Sequence, residues 1–227
     1  MKPLRLMAGF AALAPMVIAT TAHGGFDVNP VVSVIELPEE RKGITLTVRN
    51  SRNVEVPVIF EIFERTVFED GNEERTPADD LFLIFPPQAV VAPGETQNIR
   101  VQWVGPEPAQ SRSFTLYASE VPVERKEEES GVRTIFRMGA SVHVTSSHAR
   151  PEPVLAGHET SEDGVRVTLA NKGTRFFYID DVSLKFASSE IGGIDLANVA
   201  GRTLVPPGGR RTFAIPEVSG TPVLAEK

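Results

Sequence analysis

The fold class this sequence predicts is all-β, two immunoglobulin-like sandwiches, and three observations predict it. Short apolar runs alternate with polar residues at a period of two, the mark of half-buried strands. Turn residues recur roughly every ten positions, a spacing typical of sandwiches, and 18 Gly and 18 Pro are spread between those runs. The polar, proline-bearing stretch SSHARPEP (146–153) then divides the strand-rich chain in two, as an interdomain linker or sharp elbow does.

Residues 1–24 stand apart from the fold. Lys2 and Arg5 precede an apolar run from Leu6 to Thr21, closed by Ala22-His23-Gly24. That is the pattern of a cleavable secretory signal peptide. A membrane anchor fits less well, because the run falls short of the ~18 residues a spanning helix needs and Pro15 interrupts it. Loss of this segment takes the formal net charge from −7 to −9. The expectation is an exported soluble chain, in a bacterium a periplasmic one.

Residues 25–147 make the first expected domain. GITLTVRN (43–50) alternates and stops at Asn50, and VEVPVIFEIFE (54–64) sets Val58, Phe60 and Ile62 on one face. FEDGNEERTPADD (68–80) reads as a polar hairpin-like loop, and LFLIFPP (81–87) as a short strand stopped by two prolines. APGETQNIRVQWV (92–104) is a turn feeding a strand with Ile99, Val101 and Trp103 on one face; SFTLYASEVPV (113–123) is the next strand. A charged loop, ERKEEES (124–130), leads into GVRTIFRMGASVHVTSS (131–147). There Val132, Thr134, Phe136, Met138, Ala140, Val142 and Val144 share one parity, and Arg133, Arg137, Ser141, His143 and Thr145 the other. At ~3.3 Å per residue such a strand runs about 45–50 Å, against a usual ~17–20 Å. A small domain cannot easily cover an apolar face of that length.

Residues 148–227 make a second, smaller β domain. Its strands are expected in GVRVTLAN (164–171), RFFYIDDVSLKFA (175–187), RTLVPPGG (202–209) and RRTFAIP (210–216), with SSEIGGIDLANVAG (188–201) as a glycine-rich connector. TLTVRN and VTLAN end alike, a faint echo between the halves.

Several chemistries are disfavoured. A net charge of −7 opposes nucleic-acid binding, which needs a basic face. Zero cysteines exclude disulfides and thiolate metal sites. His143, His148 and His158 lack ligand spacing, and Asp79-Asp80 and Asp180-Asp181 sit beside turn residues as solvated carboxylates do. No nucleophile elbow, H-E-x-x-H or phosphate-binding glycine loop occurs. The reading is a non-enzyme with no cofactor and no metal.

TLTVRNSRNVEVPVIFEIF, DDLFLIFPPQAVVAPGETQNIRVQW and FTLYASEVP resemble the amino-terminal domain of periplasmic pilus-assembly chaperones. The Pro-Pro pair, the turn-strand from Pro93 to Val101 and Glu120-Val121-Pro122 carry the resemblance, and the polar loop before DDLFLIFPP looks most like the archaic branch. The resemblance implies two sandwiches set in an L. It also implies that the long last strand of the first domain is lent to a pilus (fimbrial) subunit lacking its own final strand, a mode of β-augmentation. The subunit is then delivered to an outer-membrane usher. The residues expected to enter the client are Thr134, Phe136, Met138 and Ala140, with Val142 and Val144 kept inside the chain's own sandwich. Family members hold the client's terminal carboxylate between a basic residue on the first strand and another late on the last. Here those positions fall at Ser33 or Val34 and near His143, without a fixed positive charge. Arg100, Arg137 and His143 are the candidate replacements, since an Arg–carboxylate bond supplies the same chemistry.

Two other readings stand beside this one. A structural or adhesive fibre protein would need a missing final strand or a donor tail. A sugar-binding protein would need clustered exposed aromatics, whereas Trp103, Tyr117 and Tyr178 are all the Trp and Tyr the chain has. An exposed edge would also encourage self-association of the free protein.

Overall fold

A computed structural model describes residues 25–122, 134–187 and 189–225. The expected signal peptide, the charged loop 124–130 and the start of the long strand at 131–133 lie outside the described residues.

Ten strands build the first unit among the described residues. They are β1 (Phe26–Asn29), β2 (Val32–Leu37), β3 (Ile44–Asn50), β4 (Val56–Val67), β5 (Glu73–Pro77), β6 (Phe82–Phe85), β7 (Gln88–Val91), β8 (Thr96–Trp103), β9 (Arg112–Glu120) and β10 (Arg137–Ser146). One sheet runs β1-β3-β8-β6; the other runs β2-β10-β9-β4-β5, with β7 also on β4. Thus β4 shares one edge between two partners, Val56–Ile59 taking β7 and Phe63–Val67 taking β5. The alternating sequences aim Leu46, Val48, Ile62, Ile99, Val101, Phe114, Leu116, Val142 and Val144 into a single core between the sheets. Each large side chain so buried contributes ~1.5–3 kcal/mol. Phe82 meets Trp103 and Phe114 edge-on at 5.1 and 4.9 Å between centroids, the geometry aromatic quadrupoles favour.

The second unit has its own core, with Val165, Val167, Leu169, Leu184, Leu196 and Phe213 in it. Its strands are β11 (Pro153–Ser161), β12 (Gly164–Asn171), β13 (Phe177–Tyr178), β14 (Ser183–Lys185), β15 (Glu190–Gly192), β16 (Leu204–Val205), β17 (Arg210–Pro216) and β18 (Val223–Leu224). β11-β12-β17 form its largest sheet. The connector read from sequence as glycine-rich holds a helix, α1 (Gly193–Ala200), which buries Leu196 and Ala200 against this core. Gly201 follows it at φ 75°, a positive value that glycine adopts without strain and that ends the helix.

The echo of strand ends has a structural meaning. Asn50, at the end of β3, accepts from the Arg52 N–H and donates its amide to the Val54 and Val91 carbonyls. Asn171, at the end of β12, accepts from the Gly173 N–H and donates to the Arg175 and Val205 carbonyls. Both are fully buried, so each Asn satisfies backbone groups at a corner that no strand partner reaches.

The polar segment 68–80, read as a hairpin-like loop, holds the tip and return strand of a hairpin. Its second half is strand β5, paired to the end of β4. Glu73, Glu74 and Arg75 there make a charged edge, which is how sheets discourage further pairing.

Candidate functional site

The site begins where β2 meets β10. These two strands pair in parallel from Val32↔Ser141 to Leu37↔Ser146, and the Ser141 N–H donates to the Val31 carbonyl. On its other side β10 pairs antiparallel with β9 from Arg137↔Ser119 onward. Between Arg137 and Ala140, therefore, one side of β10 has no strand partner among the described residues. Because Ser141 points its backbone toward β2, the period of two turns Gly139 and Arg137 toward that open side.

Regular strand starts at Arg137, so the ten-residue β10 is shorter than the expected 131–147. Residues 134–136 continue along β9 without joining the ladder fully. The Glu120 N–H donates to the Phe136 carbonyl at 2.9 Å, and the Phe136 N–H donates to the Glu120 carboxylate at 3.3 Å. Arg52 pairs with Glu120 at 2.7 Å, lies over the Phe136 ring at 5.1 Å and donates to the Thr134 carbonyl. This arginine and buried glutamate fasten the segment at its start. The Phe136 ring also lies against Gly25, whose φ of 137° suits glycine.

The four expected client-facing residues separate into three environments. Thr134 is exposed, and Phe136 and Met138 are half-buried along the rim of the core. Ala140 is 0% exposed and belongs to the chain's own core with Val142 and Val144. Its side chain is thus not on offer, because both sheets have already closed over that position, where Ala140 lies opposite Leu116.

The outer face of the same sheet turns toward the second unit. His143, on the polar parity of the long strand, is fully buried. Its ring stacks on Phe176 at 3.8 Å, Nδ1 bonds the Ser113 hydroxyl at 2.9 Å and Nε2 the Tyr178 hydroxyl at 2.8 Å. Burial, reinforced by the charges of Arg65 and Arg175, pushes its pKa down to about 3. A neutral ring wedged between units cannot anchor a carboxylate as a cation. Arg100 also lies elsewhere. It sits on β8 in the opposite sheet, where its guanidinium donates to the Lys42 carbonyl. Arg137 is exposed on the outer face, stacked over Tyr117 at 3.8 Å and 3.6 Å from Glu61. The three expected anchors are not brought together.

A residue that sequence reasoning passed over is central here. Arg65, on β4, reaches across β9 and donates Nη1 to the Ser141 hydroxyl at 3.1 Å. Its Nε and Nη2 grip the two oxygens of Glu73, with Nε at 3.1 Å. Burial alone would lower its pKa, but Glu73 and then Tyr178 outweigh that and raise it, so the guanidinium is a permanent cation. The signal available was parity. Phe63, Arg65 and Val67 form the row opposite Phe60 and Ile62, and a cation within a half-apolar row points to a covered face.

Other ties join the two units. Arg175 pairs with Glu36 at 2.6 Å, and the Ser111 hydroxyl accepts from the Phe176 N–H at 2.8 Å. The tip between β4 and β5 docks on β17, the Glu69 carbonyl accepting from the Thr212 N–H at 2.9 Å and its carboxylate from the Thr212 hydroxyl at 2.7 Å.

Comparison with known proteins bears on this arrangement. Residues 27–144 match the family model described as pili and flagellar-assembly chaperone, PapD N-terminal domain. Comparison with curated proteins found no match. Among solved structures, a CsuC–CsuE chaperone–tip adhesion subunit complex from archaic Csu pili of Acinetobacter baumannii is similar at 18% identity. It covers 87% of this chain and 90% of that one, with a TM-score of 0.59. The Escherichia coli chaperone DraB is similar at 17% identity, covering 89% and 98%, TM-score 0.58. The Salmonella enterica SafA pilin–SafB chaperone complex is similar at 15%, covering 88% and 95%, TM-score 0.58. With two immunoglobulin-like sandwiches and a family match across more than half its length, the chain belongs to the pili and flagellar-assembly chaperones.

Proposed function

We propose that this protein is a periplasmic chaperone that lends the open edge at Arg137–Ala140, with residues 134–136 ahead of it, to a pilus subunit with an incomplete β-sandwich, and passes that subunit to an outer-membrane usher. One observation carries the reading: β2 covers β10 only from Ser141 onward and leaves Arg137–Ala140 without a strand partner on that side among the described residues. An open edge recruits a strand through backbone hydrogen bonds worth ~0.5–1.5 kcal/mol net each. Phe136 and Met138, half-buried beside that edge, supply the apolar contacts that select a sandwich lacking a strand. Structures similar in fold include a chaperone with a tip adhesion subunit and a chaperone with a pilin, which agrees with such a partner.

The direction of pairing supports an anchor. A client strand running parallel to β10, as β2 does, ends where β2 begins, beside Ser141 and the Arg65 guanidinium. We assign Arg65, in place of Arg100, Arg137 or His143, as the group that receives the client's terminal carboxylate. Intact-mass analysis of the protein purified from its native periplasm tests the function. The expected result is a one-to-one complex with a small β-rich subunit, lost when Phe136→Asp and Met138→Asp are combined. A clean monomer recovered while fibres are being made would refute it.

A further inference from the structure

Two arginines face each other across the β4–β5 ladder. Arg65 and Arg75 are direct register partners, an arrangement that like charges make unfavourable. Glu73 resolves it by lying between them. One of its oxygens takes the Arg65 Nη2; the other takes Arg65 Nε at 3.1 Å and Arg75 Nη2 at 2.9 Å. The cluster therefore holds two guanidinium groups and one carboxylate, one positive charge in excess. The other acids along this hairpin are engaged or turned away: Glu61 pairs with Arg137, Glu64 with Arg112 and Glu69 with the second unit, Asp70 accepts from Asn72, and Glu74 is exposed.

We propose that Glu73 is a built-in occupant of the Arg65 carboxylate site, handed over to Arg75 when a client's terminal carboxylate arrives. This rests on the reading of Arg65 as the anchor. The side chains of Arg65 and Glu73 are 9% and 13% exposed, whereas Arg75 is 41% exposed. A guanidinium that deep needs a counter-ion at all times, since a lone buried charge is strongly unfavourable. An anchor waiting empty would weaken the free chaperone; an internal carboxylate keeps it satisfied. The handover needs only a side-chain rotation, because Glu73 already touches Arg75. β5 itself stays in place, held by β4 and by the docked tip at Glu69. The final state has two carboxylates on two guanidinium groups. Only a ligand bringing its own negative charge completes that count, so the occupant also discriminates against uncharged chain ends.

The test uses the purified protein and a synthetic nonapeptide of alternating valine and threonine, made with a free terminal carboxylate and as its carboxamide. The unsubstituted protein should bind the carboxylate form more tightly, and Arg65→Gln should remove that preference. Glu73→Gln keeps the shape, removes the competitor and should raise affinity for the carboxylate form about tenfold, leaving the carboxamide form unchanged. Arg75→Gln, on a half-exposed residue that folding tolerates, should lower it about tenfold by removing the place Glu73 moves to. Opposite signs from two neighbouring substitutions distinguish a handover from general damage. Equal binding of both peptides to the unsubstituted protein would overturn the Arg65 reading itself. A preference that Arg65→Gln abolishes, but that Glu73→Gln and Arg75→Gln leave unaltered, would overturn the handover alone.

Discussion

Acid should loosen this protein through His143 before it acts on most carboxylates. The imidazole lies buried between Phe176, Ser113 and Tyr178, with its pKa pushed down to about 3 by burial and by the Arg65 and Arg175 charges. An unfolded histidine titrates near ~6.5. Below that value the unfolded chain takes up a proton that the folded one refuses, so stability is complete above it and falls as pH drops toward 3. Each pH unit in this window removes ~1.4 kcal/mol, giving about 2 kcal/mol at pH 5. Against a total of ~5–15 kcal/mol that is readily measured. The assay is urea unfolding followed by Trp103 fluorescence between pH 7.5 and 4, for the unsubstituted protein and for His143→Phe. The variant keeps a ring against Phe176 and loses two hydrogen bonds, a roughly constant cost of ~1–3 kcal/mol. Its stability should decline less steeply with acid, the two curves converging by about 2 kcal/mol from pH 7 to 5. Parallel curves, or an NMR titration of His143 centred near its ordinary value, would refute the reasoning.

Further predictions concern other parts of the frame. Arg52→Ala leaves the buried Glu120 carboxylate without its partner; it should destabilise by ~1–3 kcal/mol and speed amide exchange at Phe136. Asn50→Ala and Asn171→Ala each orphan two backbone carbonyls, and each should cost ~2–4 kcal/mol, with limited proteolysis cutting first in the unit that carries the change. Glu69→Ala should cost under about 1 kcal/mol, because its contacts to the second unit are exposed; a larger loss in thermal unfolding would mean that the hairpin tip is structurally dominant.

How much of this was legible in the sequence depended on which signal each element carries. β3, β4, β8 and β12 bury one face more deeply than the other, so a period of two revealed them. β5 buries almost nothing, and a charged edge strand has no periodic signal to read. α1 is eight residues flanked by glycines, too short for a helical repeat to stand out. At the candidate site the open edge was legible because Phe136 and Met138 extend an apolar row beyond what the domain covers. Ala140 was misread because alternation gives the side a residue faces, not where along a strand the cover begins. The burial of His143 and the place of Arg65 escaped for a related reason: the second unit covers an outer face, and no local pattern reports a cover contributed from thirty or more residues away. Only tertiary packing tells a polar residue facing water from one facing Phe176 and Tyr178.

The parallel pairing of β2 with β10 makes β2 a ruler. It halts at Val31, so the length of backbone available for loan is measured by where another strand stops rather than by the residues that are lent. Lengthening β2 toward its beginning by one pairing step would shorten the lendable stretch by about the same step, with no alteration to β10. Chaperones sharing this frame could thus suit subunits with grooves of different depth by moving one strand's starting point, while the adhesive strip itself is left alone.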